Sequence, residues 1–170
     1  MPITQPVLNF CMVTSGAWSN NWKWGLPLIV ITVVIHVLVL GSANQHAINV
    51  FDRKVNRGYP VLSFAAVMST VVLIATALHA VESALWAVSY NYLGALPDFK
   101  SGMLYSLGAM TTFGRPGVHL EADWELLGAI EALNGWLLFG LTTAFLFGLI
   151  QRCRQITDRE HLLPGTARQV

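Results

Sequence analysis

Three stretches of this 170-residue chain are apolar and long enough to cross a lipid bilayer, at residues 26–43, 60–82 and 125–150. The constraint is severe. A hydrocarbon layer about 30 Å thick holds no water to satisfy a backbone amide or carbonyl, so only helices of roughly 20 residues or closed barrels cross it. Across the chain 54% of residues are hydrophobic and only 11% are charged. The apolar residues form continuous runs and do not alternate, which points to helices. The expected fold class is an all-α membrane protein with three transmembrane helices.

The basic residues orient those spans. Arg53, Lys54 and Arg57 lie between the first and second, and Arg152, Arg154, Arg159 and Arg168 follow the third. Lys and Arg gather on the cytoplasmic side of short connections. Residues 44–59 therefore read as a cytoplasmic loop, residues 151–170 as a cytoplasmic tail, and residues 1–25 as an external N-terminal segment. The expected location is the plasma membrane, of the bacterial inner-membrane kind, with several passes. The N-terminus lacks the basic, apolar and small-residue pattern of a cleaved secretory signal, so the first span is expected in the mature protein. Trp18, Trp22 and Trp24 precede that span, where indole rings anchor an outer headgroup layer.

Composition also excludes several function classes. Cys11 and Cys153 fall on opposite sides of the membrane in this topology, so no disulfide joins them and their spacing suits no metal cluster. No basic face is available for nucleic acid, and the lipid bilayer is the expected surrounding partner. No nucleophile–base pair and no phosphate-binding loop is present, so the chain does not read as an enzyme.

The connection between the second and third spans is the informative part. Residues 83–97 are aromatic and amphipathic (Trp86, Tyr90, Tyr92) and read as an external turret. Residues 98–110 are too short to span and too apolar for an ordinary external loop, which marks a re-entrant segment. Pro97 and Asp98 supply its helix start, because proline tolerates a first turn and a carboxylate meets the positive end of the helix dipole. Residues 111–117, Thr-Thr-Phe-Gly-Arg-Pro-Gly, form a filter-like loop, and residues 118–124 an external linker into the third span. Non-helical backbone at membrane depth survives only when covered by protein or lining water. A helix, a Thr-Thr-x-Gly turn and a second helix therefore read as a pore loop. One chain supplies one such loop, so a pore requires assembly about a symmetry axis.

At these residues the chain resembles the potassium-channel superfamily in its pore module of outer helix, pore helix, filter and inner helix. Tyr105-Ser106 and Met110-Thr111-Thr112-Phe113-Gly114 are similar to the end of that family's pore helix running into its Thr-Val-Gly-Tyr-Gly filter. Gly135, followed by Leu138-Phe139-Gly140-Leu141-Thr142-Thr143-Ala144, is similar to its inner helix, with Gly135 at the gating-hinge position. The resemblance implies a homotetramer whose third span lines the pore. It also shows a departure, because Arg115, Pro116 and Gly117 stand where the family has tyrosine, glycine and aspartate. Proline locks φ near −65° and cannot reproduce the glycine geometry.

The expected function is a tetrameric cation pore of weak selectivity, carrying a monovalent cation such as potassium and needing no cofactor. Thr111, Thr112, Phe113, Gly114 and Arg115 are the candidate filter and ion-binding residues. Glu131, Asn134, Gly135, Phe139 and Thr142 are the candidates for gating and pore lining. Glu131 reads equally as a carboxylate packed behind the filter, and Thr111 and Thr112 alternatively as a helix cap. Two other readings stay open. The chain is a non-conducting channel-like subunit or scaffold, or it binds a metal or haem through His36, His79, Glu82 and Glu131. No metal ligand set is otherwise expected. His79 and Glu82 are one turn apart on one helical face and read first as a structural hydrogen bond.

Overall fold

A computed structural model of the chain describes residues 4–55, 60–114 and 117–162. Four α-helices follow in order: α1 (Thr4–Val55), α2 (Pro60–Tyr92), α3 (Phe99–Met110) and α4 (Glu125–Leu162), with a 3-10 turn at Ala122–Trp124 before α4. There is no strand among the described residues. Three segments are long and apolar enough to cross a membrane: Gly16–Arg53, Val61–Tyr92 and Ala122–Arg159.

The helices outrun the apolar stretches that announce them. α1 has 52 residues, α2 33 and α4 38. Hydropathy marks where hydrocarbon can be the solvent. It does not mark where a helix must stop, since a helix continues into headgroup and water if its residues permit. Accordingly α1 takes in most of residues 1–25 and the first part of 44–59, and α2 continues to Tyr92 through much of the expected turret. Pro27 lies inside α1 without ending it. A proline removes one helical hydrogen bond, and neighbouring groups in membrane proteins re-satisfy the carbonyl it frees.

The pattern of burial is inverted relative to a soluble protein. Val30, Ile31, Val34 and Leu38 of α1 and Leu73 of α2 are exposed, whereas Asn21, Thr32, His36, Ser63, Glu82, Ser106, Glu131 and Asn134 are buried. Lipid tails are as apolar as leucine, so apolar side chains gain nothing by turning inward. Polar ones turn inward to find partners. This is the surface of a multi-pass membrane protein.

The chain divides into two compact units. The first combines α1 through Ile35 with His79–Phe139. Its apolar core joins Trp86, Tyr90, Ala95 and Leu96 to Leu120, Leu127 and Ile130, with Trp22, Leu28 and Ile29 of α1 against them. The second combines His36–Leu78 with the described residues from Gly140 onward. Ala47 and Phe51 of α1 there meet Val67 and Val71 of α2 and Leu149 and Cys153 of α4. Phe51 and Phe64 meet edge-on, with ring centroids 6.4 Å apart. In this unit the buried His36 Nε2 lies 2.9 Å from Thr142 Oγ1.

Candidate functional site around helix α3

α3 starts at a side-chain cap. Asp98 has extended backbone (φ −153°), and its Oδ1 accepts the Ser101 N–H at 2.9 Å while its Oδ2 accepts the Ser101 hydroxyl at 2.8 Å. These bonds, the backbone one foremost, hold the exposed carboxyl below the ordinary aspartate range.

The helix is seated between two spans at backbone contact. Gly128, Glu131 and Gly135 recur at i, i+3 and i+7, so they share one face of α4. A Cβ at Gly135 would stand 2.6 Å from Met110 Cα, and one at Gly128 would collide with the Tyr105 hydroxyl and lie 3.0 Å from Leu120 Cδ1. On α3 itself, a Cβ at Gly102 would stand 3.0 Å from the Ala87 carbonyl oxygen of α2. Small residues of this kind let membrane helices approach closely enough for van der Waals attraction to hold them.

Between the two glycines of α4, Glu131 makes the polar link. Its side chain is fully buried. Oε2 accepts the Tyr90 hydroxyl of α2 at 2.6 Å, and Oε1 accepts the Ser106 hydroxyl of α3. One carboxyl thus joins three helices, and the donors to it are neutral hydroxyls. Tyr90 and Tyr105 close over the link edge-to-face, with centroids 5.5 Å apart and planes at 86°. Farther along, the Ser83 hydroxyl donates to Met110 Sδ at 3.0 Å, a second tie between α2 and the end of α3.

Past Met110 the chain turns back on itself. Thr111 caps α3, its hydroxyl donating to the Leu107 carbonyl at 2.7 Å. Thr112 adopts a left-handed φ of 55°, rare for a residue with a branched Cβ, and the Gly114 N–H (φ 67°) returns to the Gly108 carbonyl at 3.1 Å. Thr111, Thr112, Phe113 and Gly114 are all exposed, Phe113 to 88%. Arg115 and Pro116 lie outside the described residues, and Gly117 has φ 90°.

Asn21 of α1 secures the entrance to α4. Its Nδ2 donates to the Asp123 carbonyl at 2.7 Å and to the Ala17 carbonyl at 2.6 Å, and its Oδ1 accepts the Leu127 N–H at 2.7 Å. A buried side chain from another helix therefore serves one of the orphan donors at the start of α4.

The remaining candidates on α4 separate by exposure. Asn134 is buried and donates to Thr32 Oγ1 at 2.9 Å, Gly135 is buried against Met110, and Phe139 is exposed to 69%. Thr142 is buried beside His36. His79 Nδ1 lies 3.2 Å from Glu82 Oε2, the first half-buried and the second buried. Sequence reasoning did not single out Tyr90, Ser106, Asn21, Thr32 or Gly128 for these roles. The available signal was polar residues inside apolar spans and two glycines seven apart around Glu131.

These features define a multi-pass helical membrane protein in which a short helix is seated, through glycines and one buried carboxyl, against two spans. Comparison of the chain with protein-family models, with curated proteins and with solved structures gives no match.

Proposed function

We propose that α3 is a re-entrant pore helix, that Thr111 to Gly114 form the narrow section of a cation pore, and that several copies assemble about an axis to close it. The observation that carries this reading is the seat of α3. A 12-residue helix too short to span is held at both faces by backbone-close contacts and ends in an exposed non-helical turn. Such a turn between two spans cannot face lipid, and copies of the chain around a water-filled axis satisfy it. The negative end of α3 then faces the axis and favours a cation. The resemblance of residues 105–114 and 135–144 to potassium-channel pore modules supports the same reading, with a tetramer as the assembly and the plasma membrane as the site. In this scheme Glu131 and Asn134 work from behind the pore, fixing α3 and α4, and Phe139 is one of several exposed residues of the inner helix, Trp136 among them.

A specific observation favours a second reading, a non-conducting subunit on the same scaffold. The Thr111 hydroxyl and the Gly114 N–H are both spent on carbonyls of α3 itself. Purified protein in liposomes discriminates the two. A conducting pore passes potassium and sodium with little discrimination and excludes chloride. Absence of any flux from a correctly assembled oligomer supports the silent subunit, and flux unchanged by substitutions at Gly114 overturns the placement of the narrow section.

A further inference from the structure

At one end of the second unit, the end of α1, the start of α2 and the end of α4 enclose an open cavity of about 390 Å³. Among the described residues its apolar lining is Phe51, Phe64 and Cys153, with Val61 at the exposed edge. Its mouth carries Arg154 and Asp158, both exposed and one helical turn apart on α4. Thr157, also at the mouth, spends its hydroxyl on the Cys153 carbonyl at 3.1 Å. Among the described residues no salt bridge closes between Arg154 and Asp158. The mouth therefore presents a cation and an anion side by side above an apolar chamber, near the end of the span Ala122–Arg159.

We infer that this cavity binds a zwitterionic aminophospholipid of the phosphatidylethanolamine kind, with one acyl chain in the chamber and the headgroup across Arg154 and Asp158. The chamber alone selects nothing, because an acyl chain leaves one apolar environment for another at little net gain. Selection falls to the headgroup. Residues at i and i+4 stand about 5–6 Å apart at Cβ, a spacing suited to a phosphate and an ammonium separated by two carbons. The Arg154 guanidinium donates to phosphate oxygens in the planar geometry that favours arginine at such sites, and the lipid's ammonium donates to the Asp158 carboxylate. Phosphatidylcholine lacks an N–H to donate, and phosphatidylglycerol lacks the cation. The inference does not depend on whether the chain conducts ions.

Native mass spectrometry of the full chain, released from a bilayer of equal parts phosphatidylethanolamine, phosphatidylcholine and phosphatidylglycerol, tests it. The expected result is retention of phosphatidylethanolamine over phosphatidylcholine by about tenfold, the equivalent of one charge-assisted hydrogen bond. Asp158→Asn removes that preference while leaving phosphatidylglycerol retention in place, and Arg154→Gln lowers retention of all three. Both substitutions lie on an exposed helical face, and circular dichroism with the oligomer mass confirms the fold. Equal retention of the three lipids, or a preference unchanged in both variants, overturns the inference. So does an intact oligomer that retains no lipid.

Discussion

The Tyr90 hydroxyl donates to Glu131 Oε2 across 2.6 Å and joins the end of α2 to α4 at the level of α3. With Ser106 on the other carboxylate oxygen, the link ties three helices through one buried side chain. Tyr90→Phe removes one donor and keeps the ring, so the expected loss is near the membrane average of about 0.6 kcal/mol and at most about 1.7 kcal/mol. Glu131→Ala strands two buried hydroxyls and costs about 1–3 kcal/mol. In a double-mutant cycle on unfolding in detergent, the two changes couple by more than about 0.5 kcal/mol. Additive effects contradict a shared link.

Gly135 is where α4 and α3 come closest. A Cβ there meets the backbone of Met110, which cannot turn aside as a side chain can. Gly135→Ala is therefore expected to destabilise by about 1–3 kcal/mol through displacement of α3. Gly140, with nothing within 4 Å of its added Cβ, is the internal control. Gly140→Ala is expected to be neutral or slightly stabilising, because alanine loses less entropy in a helix. Thermal melts of the two variants in one detergent check the contrast.

Asn21 reaches Asp123 and Leu127 from α1. Asn21→Leu keeps the branched shape and removes all three side-chain bonds, leaving the Leu127 amide without its partner. A cost of about 1–3 kcal/mol is expected. The start of α4 is also expected to lose hydrogen-exchange protection before the rest of the first unit does. Uniform loss of protection along α4 contradicts a local role.

The cap at Asp98 carries a pH dependence with a definite sign. A carboxyl held below its ordinary value stabilises while ionised, so its contribution is complete above the unfolded aspartate range near pH 4. It is lost as pH falls through the lower value of the folded state. Hydrogen-exchange protection at Ser101, corrected for intrinsic rate, is expected to be flat from pH 8 to 5 and to fall only below about pH 4. Asp98→Asn keeps a capping oxygen and removes the dependence. Protection that declines already between pH 7 and 5 contradicts the assignment.

How much of this was legible in the sequence follows from what membranes do to sequence signals. The three spans stand out because hydrocarbon demands unbroken apolar runs, and Asp98 marks the start of α3 because a carboxylate suits the positive end of a helix dipole; its place is the N-cap, which leaves Pro97 outside the helix. The ends of α1 and α2 were not legible, since hydropathy reports the solvent and not the helix. The inward faces were hidden for the same reason. With lipid outside, apolar residues cover both faces of a span, and no amphipathic stripe shows which one meets α3. Glu131 stood out as a charge within a span, but its partners Tyr90 and Ser106 come from 41 and 25 residues away. Only the fold brings them together.

Cadmium block of a cysteine variant tests most directly whether Thr111 to Gly114 line a cation pathway. Thr112→Cys places a thiol on the exposed turn after α3. In the proposed assembly, copies of it around the axis form a thiolate site for a soft divalent ion. In liposomes, cadmium is expected to stop potassium flux through Thr112→Cys and to leave the parent chain, with its native Cys11 and Cys153, unaffected. Flux through Thr112→Cys that persists at full rate in saturating cadmium contradicts the claim, as does the absence of potassium flux from the parent oligomer.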